Sequence, residues 1–322
     1  MNFVDRKRVE ALLPMNECVP LMRKAMTAMG RGETQQPLRT IVKVPEEMKL
    51  MGAMPGYIPE GRLRLGAKVM SVFFDNFARG LPSHQGVICL FDHEDGHLAA
   101  IVDGDPVTAI RTAAATAVAT DVAASEDAET LVLVGYGEQA RRHAESIPLV
   151  RSIKRILITG RNFDSAKALA VSLDGIHEQD VKAEQDIETA VRQGDIVCTL
   201  THAVEPIVKG EWLLPGCHVN AVGAGTRGFR EIDATCVQRS RFFGDFKEGI
   251  KTQSEEFITP LENGEVTDAD LLCDLGEILA RGFPIRETAQ DITCFKSLGN
   301  VVQDLYAAAH VASRHAESAS VG

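Results

Sequence analysis

The sequence predicts an α/β protein whose larger part is a doubly wound parallel sheet, with a smaller α+β part beside it. Three observations carry this expectation. After residue 129, short apolar runs alternate regularly with helix-like or polar stretches, the layout of a parallel sheet covered on both faces. Between Pro37 and about residue 103 the apolar runs are instead separated by turn residues, as in an antiparallel or mixed sheet. Finally, Val134-Gly135-Tyr136-Gly137-Glu138-Gln139-Ala140 sets G-x-G-x-x-A between an apolar run and a helical segment.

In chain order, residues 4–31 carry Val9, Leu12, Leu13 and then Val19, Met22, Met26 and Met29 at helical spacing, closed by Gly30 and Gly32. This predicts a pair of packing helices. Strands are expected at Thr40–Val44, Leu65–Phe73, Val87–Phe91 and Leu98–Val102, with Asp95-Gly96 as a hairpin turn between the last two. Asp105-Pro106 opens Val107–Ala124, which is rich in Ala and Thr and free of glycine. Such a segment suits a tightly packed helix bridging two domains. The alternating region contributes Leu131–Val134, Ile156–Thr159, Ile196–Leu200, Val219–Val222 and Arg241–Phe243. Ser297–Ala312 is helical again, with Leu298, Val301, Val302, Leu305 and Tyr306 on one stripe, and is expected to return to the first domain.

Of 322 residues 45% are hydrophobic and 25% charged, which excludes a disordered or fibrous chain. The net charge of -11 argues against a phosphate backbone as partner. Seven scattered cysteines without a C-x-x-C pair read as reduced thiols in a cytoplasm, not as disulfides or a zinc site. No leader pattern stands in Met1–Arg6, and no run reaches the roughly 18 apolar residues of a membrane span. The expected location is cytoplasmic.

The glycine loop carries the clearest chemistry. Gly135 and Gly137 permit a tight turn and close backbone approach, and the helix N-terminus offers unpaired N–H groups to a pyrophosphate. An ordinary glycine turn has the same spacing, but the place of this one at the first strand of the alternating region favours a dinucleotide. Cofactor choice turns on the tip of the next strand, where a carboxylate would hold the ribose of NAD. That tip reads Thr159-Gly160-Arg161-Asn162. Arg161 and Asn162 offer charge-assisted donors to a 2'-phosphate, so NADPH is expected, with NADH as the alternative. The competing reading leaves Arg161 solvated and has Asn162 or Asp164 cap the next helix.

In the first part, Arg39, Lys68 and Arg111 stand amid apolar neighbours. Gly66-Ala67-Lys68-Val69-Met70 puts a cation in a run that otherwise looks half-buried, and a buried lysine needs a partner or a task. The competing reading is the solvent face of an edge strand. His84, just before a strand, is either a site group or a structural histidine. His93 and His97 lie in Asp92-His93-Glu94-Asp95-Gly96-His97, read as a solvated hairpin tip, so no metal is expected. No G-x-S-x-G elbow, H-E-x-x-H helix or P-loop occurs, which leaves hydride transfer.

Several segments together resemble, in family order, the ornithine cyclodeaminase/mu-crystallin family. They are Arg39-Thr40, Met54-Pro55, Gly66-Ala67-Lys68, Pro82-Ser83-His84-Gln85, Ile110-Arg111-Thr112-Ala113-Ala114, the loop from Gly135 to Ala140, Glu205-Pro206-Ile207, Asn220-Ala221-Val222-Gly223-Ala224 and Phe295-Lys296-Ser297-Leu298-Gly299. The resemblance implies a homodimer in which a Rossmann-type domain (114–297) is inserted into a substrate and dimerisation domain (1–113 and 298–322). It implies a nicotinamide cofactor contacting Arg111, Thr112, Gly135, Gly137, Glu138, Gln139, Arg161, Asn162, Thr199, Thr201, Val222 and Ser297. It also implies a small amino or imino acid held by Arg39, Lys68, His84 and Arg111.

Family activities span cyclodeamination of ornithine or lysine, alanine dehydrogenation and reduction of cyclic ketimines. After Asn-Ala-Val-Gly-Ala the cyclodeaminases carry an aspartate that acts on the substrate amine, whereas here Gly225-Thr226-Arg227 follow. The general base then has no obvious occupant unless Asp245 or Glu248 supplies it. The expectation is therefore NADPH-preferring reduction of a pyrroline-2-carboxylate or piperideine-2-carboxylate to the L-amino acid. Lys68 would give the proton or polarise the imine, Arg39 and Arg111 would hold the carboxylate, and His84 would contribute to the pocket. The rival readings are an ornithine cyclodeaminase or alanine dehydrogenase, and a non-catalytic NADPH-dependent binding protein of the mu-crystallin kind.

Overall fold

Side chains alternate across an extended segment and recur every 3.6 residues along a helix, so burial along each element shows which face the fold covers. The computed structural model describes residues 2–47, 49–82, 84–175 and 178–320. The chain opens with β1 (Asn2–Val4), α1 (Arg6–Leu12), α2 (Met15–Gly30), β2 (Thr40–Lys43), β3 (Lys49–Tyr57), β4 (Leu65–Phe73), β5 (His84–Phe91), β6 (Leu98–Asp103) and α3 (Gly104–Ala123). It continues through β7 (Thr130–Val134), α4 (Glu138–Ser146), β8 (Arg155–Thr159), α5 (Phe163–Leu173), β9 (Asp180–Ala183), α6 (Ile187–Val191), β10 (Ile196–Thr199) and β11 (His218–Ala221). The last elements are α7 (Ala234–Arg239), β12 (Ser240–Gly244), α8 (Lys247–Gln253), α9 (Glu255–Glu262), β13 (Leu271–Asp274), α10 (Leu275–Arg281), β14 (Ile292–Lys296) and α11 (Val301–Ser320). Two units result: Met1–Arg111 with Asn300–Gly322, and Thr112–Gly299.

The first unit is built on a six-stranded sheet in the order β1-β6-β5-β4-β3-β2. Its strands pair antiparallel from β2 to β6, and β1 joins β6 in parallel. Helix α11 packs across β3 to β6 and against α2. It sits close because β4 offers no side chain at Gly66, where a Cβ would meet Leu305 Cδ2 at 2.5 Å and the Cys89 carbonyl oxygen at 2.6 Å. Gly66, Lys68 and Val72 share this covered face of β4, so the lysine points inward. Fully burying a side chain such as Val302 or Leu305 of α11 is worth about 1.5–3 kcal/mol.

Two strands of this sheet were not expected. β1 is three residues long, too short for periodicity to show. β3 carries Gly52 and Pro55, which break an apolar run, yet Pro55 lies past Ala53, where the ladder to β2 stops. No partner there needs the missing N–H. The structure also corrects two boundaries. His84 begins β5 and does not precede it, while Ser83 of the Pro82–Gln85 motif lies outside the described residues. Helix α11 starts at Val301 and not at Ser297. The Leu298 and Gly299 N–H groups donate to Asp245 Oδ2 at 3.0 and 2.6 Å, and Gly299 has a φ of 73°, so the backbone turns before it coils.

The second unit holds eight parallel strands in the order β13-β12-β14-β11-β10-β7-β8-β9. Strand order reverses between β7 and β10, the switch point at which such sheets bind ligands. Val132, Val134, Val197, Val219, Phe242 and Phe257 belong to its core. The expected five runs are all strands, and β9, β13 and β14 are added. β9 alternates exposed and half-buried residues at the sheet's edge, and β13 has four residues. β14 is buried along its whole length between β11 and β12. Helix α3 is buried nearly all round, as its small-residue composition requires. Its last carbonyls are capped by arginine: Arg151 donates to those of Asp121 and Ala124 at 2.7 and 2.9 Å, and Arg286 to that of Ala123 at 2.9 Å. Among the described residues no helix is long and apolar enough to cross a membrane.

Candidate active site

In the first unit, β4, α3 and α11 bring two buried cations onto one carboxylate. Lys68 and Arg111 are 3% and 4% exposed, and Asp304 is fully buried. Asp304 Oδ1 accepts from Lys68 Nζ at 3.2 Å and from Arg111 Nε at 2.8 Å. Lys68 Nζ also donates to Thr108 Oγ1 at 2.6 Å, whose own proton goes to the Gly104 carbonyl. Arg111 Nη1 donates to Gln303 Oε1 at 2.7 Å. One Lys68 hydrogen and Arg111 Nη2 are engaged by no described residue. Burial, opposed by Asp304 and reinforced by the charges of Arg111 and Arg39, lowers the Lys68 pKa from 10.5 to about 8. Arg39, half-buried just ahead of β2, is thus electrostatically coupled to the lysine. The edge-strand alternative for Lys68 fails, because β4 lies inside the sheet.

Cations in this arrangement suit a small anionic substrate. A carboxylate wants the planar donors of arginine, and a lysine poised near pH 8 can hold or release a proton at Nζ. Sequence reasoning missed Asp304, Gln303 and Thr108. Asp304 had a readable signal, since it interrupts the apolar stripe of α11 between Val301, Val302 and Leu305, where an acid needs a cation.

In the second unit, β7 delivers the glycine loop to the switch point. Gly135 has a φ of 135°, its N–H donates to the Thr159 carbonyl at 2.9 Å, and a Cβ there would stand 2.8 Å from the Leu200 carbonyl oxygen. Gly137 caps α4 without any side-chain hydrogen bond, and the space where its Cβ would sit is open to 4 Å. The first N–H groups of α4 therefore face a cradle shaped for a pyrophosphate. Glu138 pairs with Arg142 at 2.9 Å. The Gln139 carbonyl accepts from His143 Nδ1 at 2.7 Å, and burial pushes that imidazole down to about 4. At the β8 tip Arg161 is exposed. Asn162 caps α5 by accepting from Ser165 N at 3.0 Å, as the competing reading held, while its amide nitrogen stays available. Arg161 and Gly160 border a cavity of about 440 Å³ that Phe163, Ile187, Ile207 and Trp212 also line.

The hydroxyls of Thr199 and Thr201 both donate to Glu231, at 2.8 Å each. Val222 N–H donates to the Thr199 carbonyl at 3.1 Å and Ser297 N–H to that of Ala221 at 3.0 Å, which keeps the carboxyl ends of β10, β11 and β14 aligned. Thr112, nearly buried, gives its carbonyl to Thr116 Oγ1 at 2.9 Å. A Cβ added at Gly225 would lie 3.9 Å from the Leu298 carbonyl oxygen. Of the two acids that could stand in for the aspartate missing there, Asp245 accepts from the Leu298 and Gly299 amides and Glu248 is exposed on α8. At the β5–β6 turn Asp92, Asp95 and His97 bring ligand atoms within 4.8 Å of one another. Asp92 accepts from Glu94 N at 2.8 Å and Asp95 from His97 N at 3.1 Å, contacts of a turn closing on itself.

A glycine cradle at the switch point of a doubly wound sheet defines a Rossmann-type dinucleotide-binding protein. The chain belongs to the ornithine cyclodeaminase/mu-crystallin family, whose model matches residues 2–319. It is 35% identical over 296 residues to a Delta(1)-pyrroline-2-carboxylate reductase of Paracoccus denitrificans, covering 90% of this chain and 92% of that one. It is 32% identical over 307 residues to the ketimine reductase mu-crystallin of Mus musculus, covering 94% and 92%. Among solved structures, the Delta(1)-pyrroline-2-carboxylate reductase of Thermococcus litoralis in complex with NADH and L-proline superposes with a TM-score of 0.96 at 32% identity, over 99% of this chain and 98% of that one.

Proposed function

We propose that the protein reduces a small cyclic imino acid, of the pyrroline-2-carboxylate or piperideine-2-carboxylate type, to the L-amino acid with a nicotinamide dinucleotide. The observation that carries this reading is the Lys68–Arg111 pair on Asp304, with donors left over on both cations. Arg111 and Arg39 hold the substrate carboxylate. Lys68 keeps its proton at Nζ and delivers it to the ring nitrogen, while Asp304 fixes the positions of both cations. When bound, the reduced nicotinamide supplies a hydride to the α-carbon. The names of the Paracoccus and Thermococcus relatives describe the same chemistry, and a deaminating reaction lacks a carboxylate at Gly225.

The test is oxidation of NADPH and NADH with the two imino acids, beside ornithine plus NAD with ammonia detection. Imine reduction without ammonia is expected. Ammonia and proline from ornithine would overturn the reading.

NADPH is the proposed donor. Arg161 supports it, because no carboxylate stands at the β8 tip, although the Thermococcus structure holds NADH. Replacing Arg161 with alanine should weaken NADPH about tenfold and leave NADH unchanged, the effect of one exposed charge-assisted contact. Equal affinity of the unaltered protein for the two cofactors would discard the preference.

The working form proposed is a cytoplasmic homodimer. The sheet face opposite α11 presents Phe3, Val42, Met51 and Leu65 at 59, 65, 52 and 47% exposure, apolar side chains that a contact between copies would take out of water. A second copy of the same face would cover it. Sedimentation of a single-copy particle at micromolar concentration would refute this.

A further inference from the structure

Behind the loops of the second unit lies a buried charge cluster that no step above uses. Glu231, Lys296 and Glu256 are all fully buried. Glu231 Oε1 accepts from the Thr201 amide at 2.5 Å and its hydroxyl at 2.8 Å. Glu231 Oε2 accepts from Thr199 Oγ1 at 2.8 Å and from the amides of Gly223 and Ala224 at 2.7 and 3.2 Å. Ala224 is gripped at its other end as well, since Lys296 Nζ donates to its carbonyl at 2.7 Å and to Glu256 Oε1 at 3.0 Å. Glu256 accepts in addition from Ser254 Oγ at 3.0 Å. One carboxylate thus ties the loop leaving β10 to the loop leaving β11. The fit is close, because a Cβ on Gly223 would stand 2.7 Å from Glu231 Oε1.

These two loops have a definite place in the sheet. In the 3-2-1-4-5-6 arrangement a dinucleotide lies across the reversal point, with its pyrophosphate at the first glycine loop and one half on either side. The adenosine half belongs to the β7–β8 side, where Arg161 stands. The nicotinamide half then lies over β10 and β11, on the loops that Glu231 joins. We propose that Glu231 is a positioning residue for the nicotinamide half of the cofactor, setting the Thr199–Thr201 and Gly223–Ala224 loops while leaving the adenosine half to other groups. The proposal rests on the nicotinamide reading given above.

Glutamine is not conservative here. Both oxygens of Glu231 face backbone N–H donors, so the amide nitrogen of Glu231→Gln must point at a donor on one side or the other. The loops would part, whichever way it turns.

The test compares whole cofactors with fragments lacking nicotinamide. Binding of NADH, NADPH, ADP-ribose and 2'-phospho-ADP-ribose is titrated on the unaltered protein, on Glu231→Gln and on the milder Thr199→Val. For Glu231→Gln the expected result is at least about a tenfold loss for NADH and NADPH, as an unsatisfied buried group implies, with less than about a twofold change for the fragments. Thr199→Val should show the same split at about two- to fivefold, which keeps the test open if Glu231→Gln fails to fold. Equal losses for cofactors and fragments would reduce Glu231 to a general structural group, and no loss in either variant would remove it; both outcomes overturn the proposal. Failure of the unaltered protein to bind any of the four ligands would instead sink the cofactor reading.

Discussion

The two buried charge clusters have opposite compositions. In the first unit two cations, Lys68 and Arg111, share one carboxylate, Asp304; in the second, Lys296 pairs with Glu256, and the Glu231 carboxylate feels the Lys296 charge but bonds to amides and hydroxyls. Their connections differ even more. Glu231 has each oxygen engaged by backbone amides of its own unit, whereas Lys68 and Arg111 keep a hydrogen and a guanidinium nitrogen for something else. A buried charge with every partner supplied by the chain is scaffolding. Among the described residues Lys296, like Lys68, makes two bonds, so what sets the first cluster apart is the Arg111 nitrogen left for a planar carboxylate.

The comparison can be broken most directly at Lys68. Lys68→Met should lower kcat for imine reduction by about 10²–10⁴-fold, the usual range for a positioned acid, while NADPH binding followed by fluorescence stays unchanged. Normal turnover would show that the cation in the first cluster is not receptive but structural. Asp304→Asn comes next, since it leaves two buried cations without their anion. A loss of about 3–5 kcal/mol in urea unfolding is expected, and a loss below about 1 kcal/mol would mean that water or another acid compensates.

The pH dependence sharpens the same point. With the Lys68 pKa near 8, the protonated donor disappears above that value, so kcat/KM for reduction should fall about tenfold per pH unit beyond it. Stability runs the other way. Between about 8 and the ordinary 10.5 the unfolded chain binds the extra proton, so this residue's contribution to stability is poorest below 8 and improves as pH rises. A flat profile from pH 7 to 10 would contradict the donor role. Gly225→Asp gives the smallest effect: among the described residues its Cβ would meet nothing closer than the Leu298 carbonyl oxygen at 3.9 Å, and slow ammonia release from ornithine is expected above a zero background. Its absence would show that a carboxylate at this position does not suffice.

Much of the architecture was legible because it is written in short-range pattern. The alternating runs after residue 129 and the glycine loop each declare themselves within a few residues. β14 was overlooked as a strand, since a five-residue run bounded by Asp291 and Ser297 looks the same whether it lies inside a sheet or outside it. Lys68 could be suspected from its neighbours, but its partner Asp304 stands 236 positions away, and no local pattern reports such a pairing. Glu231 was invisible for a different reason. Its partners are mostly backbone amides, which every residue has.

The packing of α11 over Gly66 has a consequence for how the chain is made. All of the second unit, Thr112–Gly299, is synthesised between the six-stranded sheet and α11, so a ribosome delivers that sheet long before the helix that covers it. The inserted unit has its own core and can fold while the chain grows, but the first unit must wait with one face bare and Lys68 and Arg111 lacking their counter-ion. A released chain truncated after residue 299 should therefore protect the inserted unit from protease and leave the first 111 residues open to cleavage.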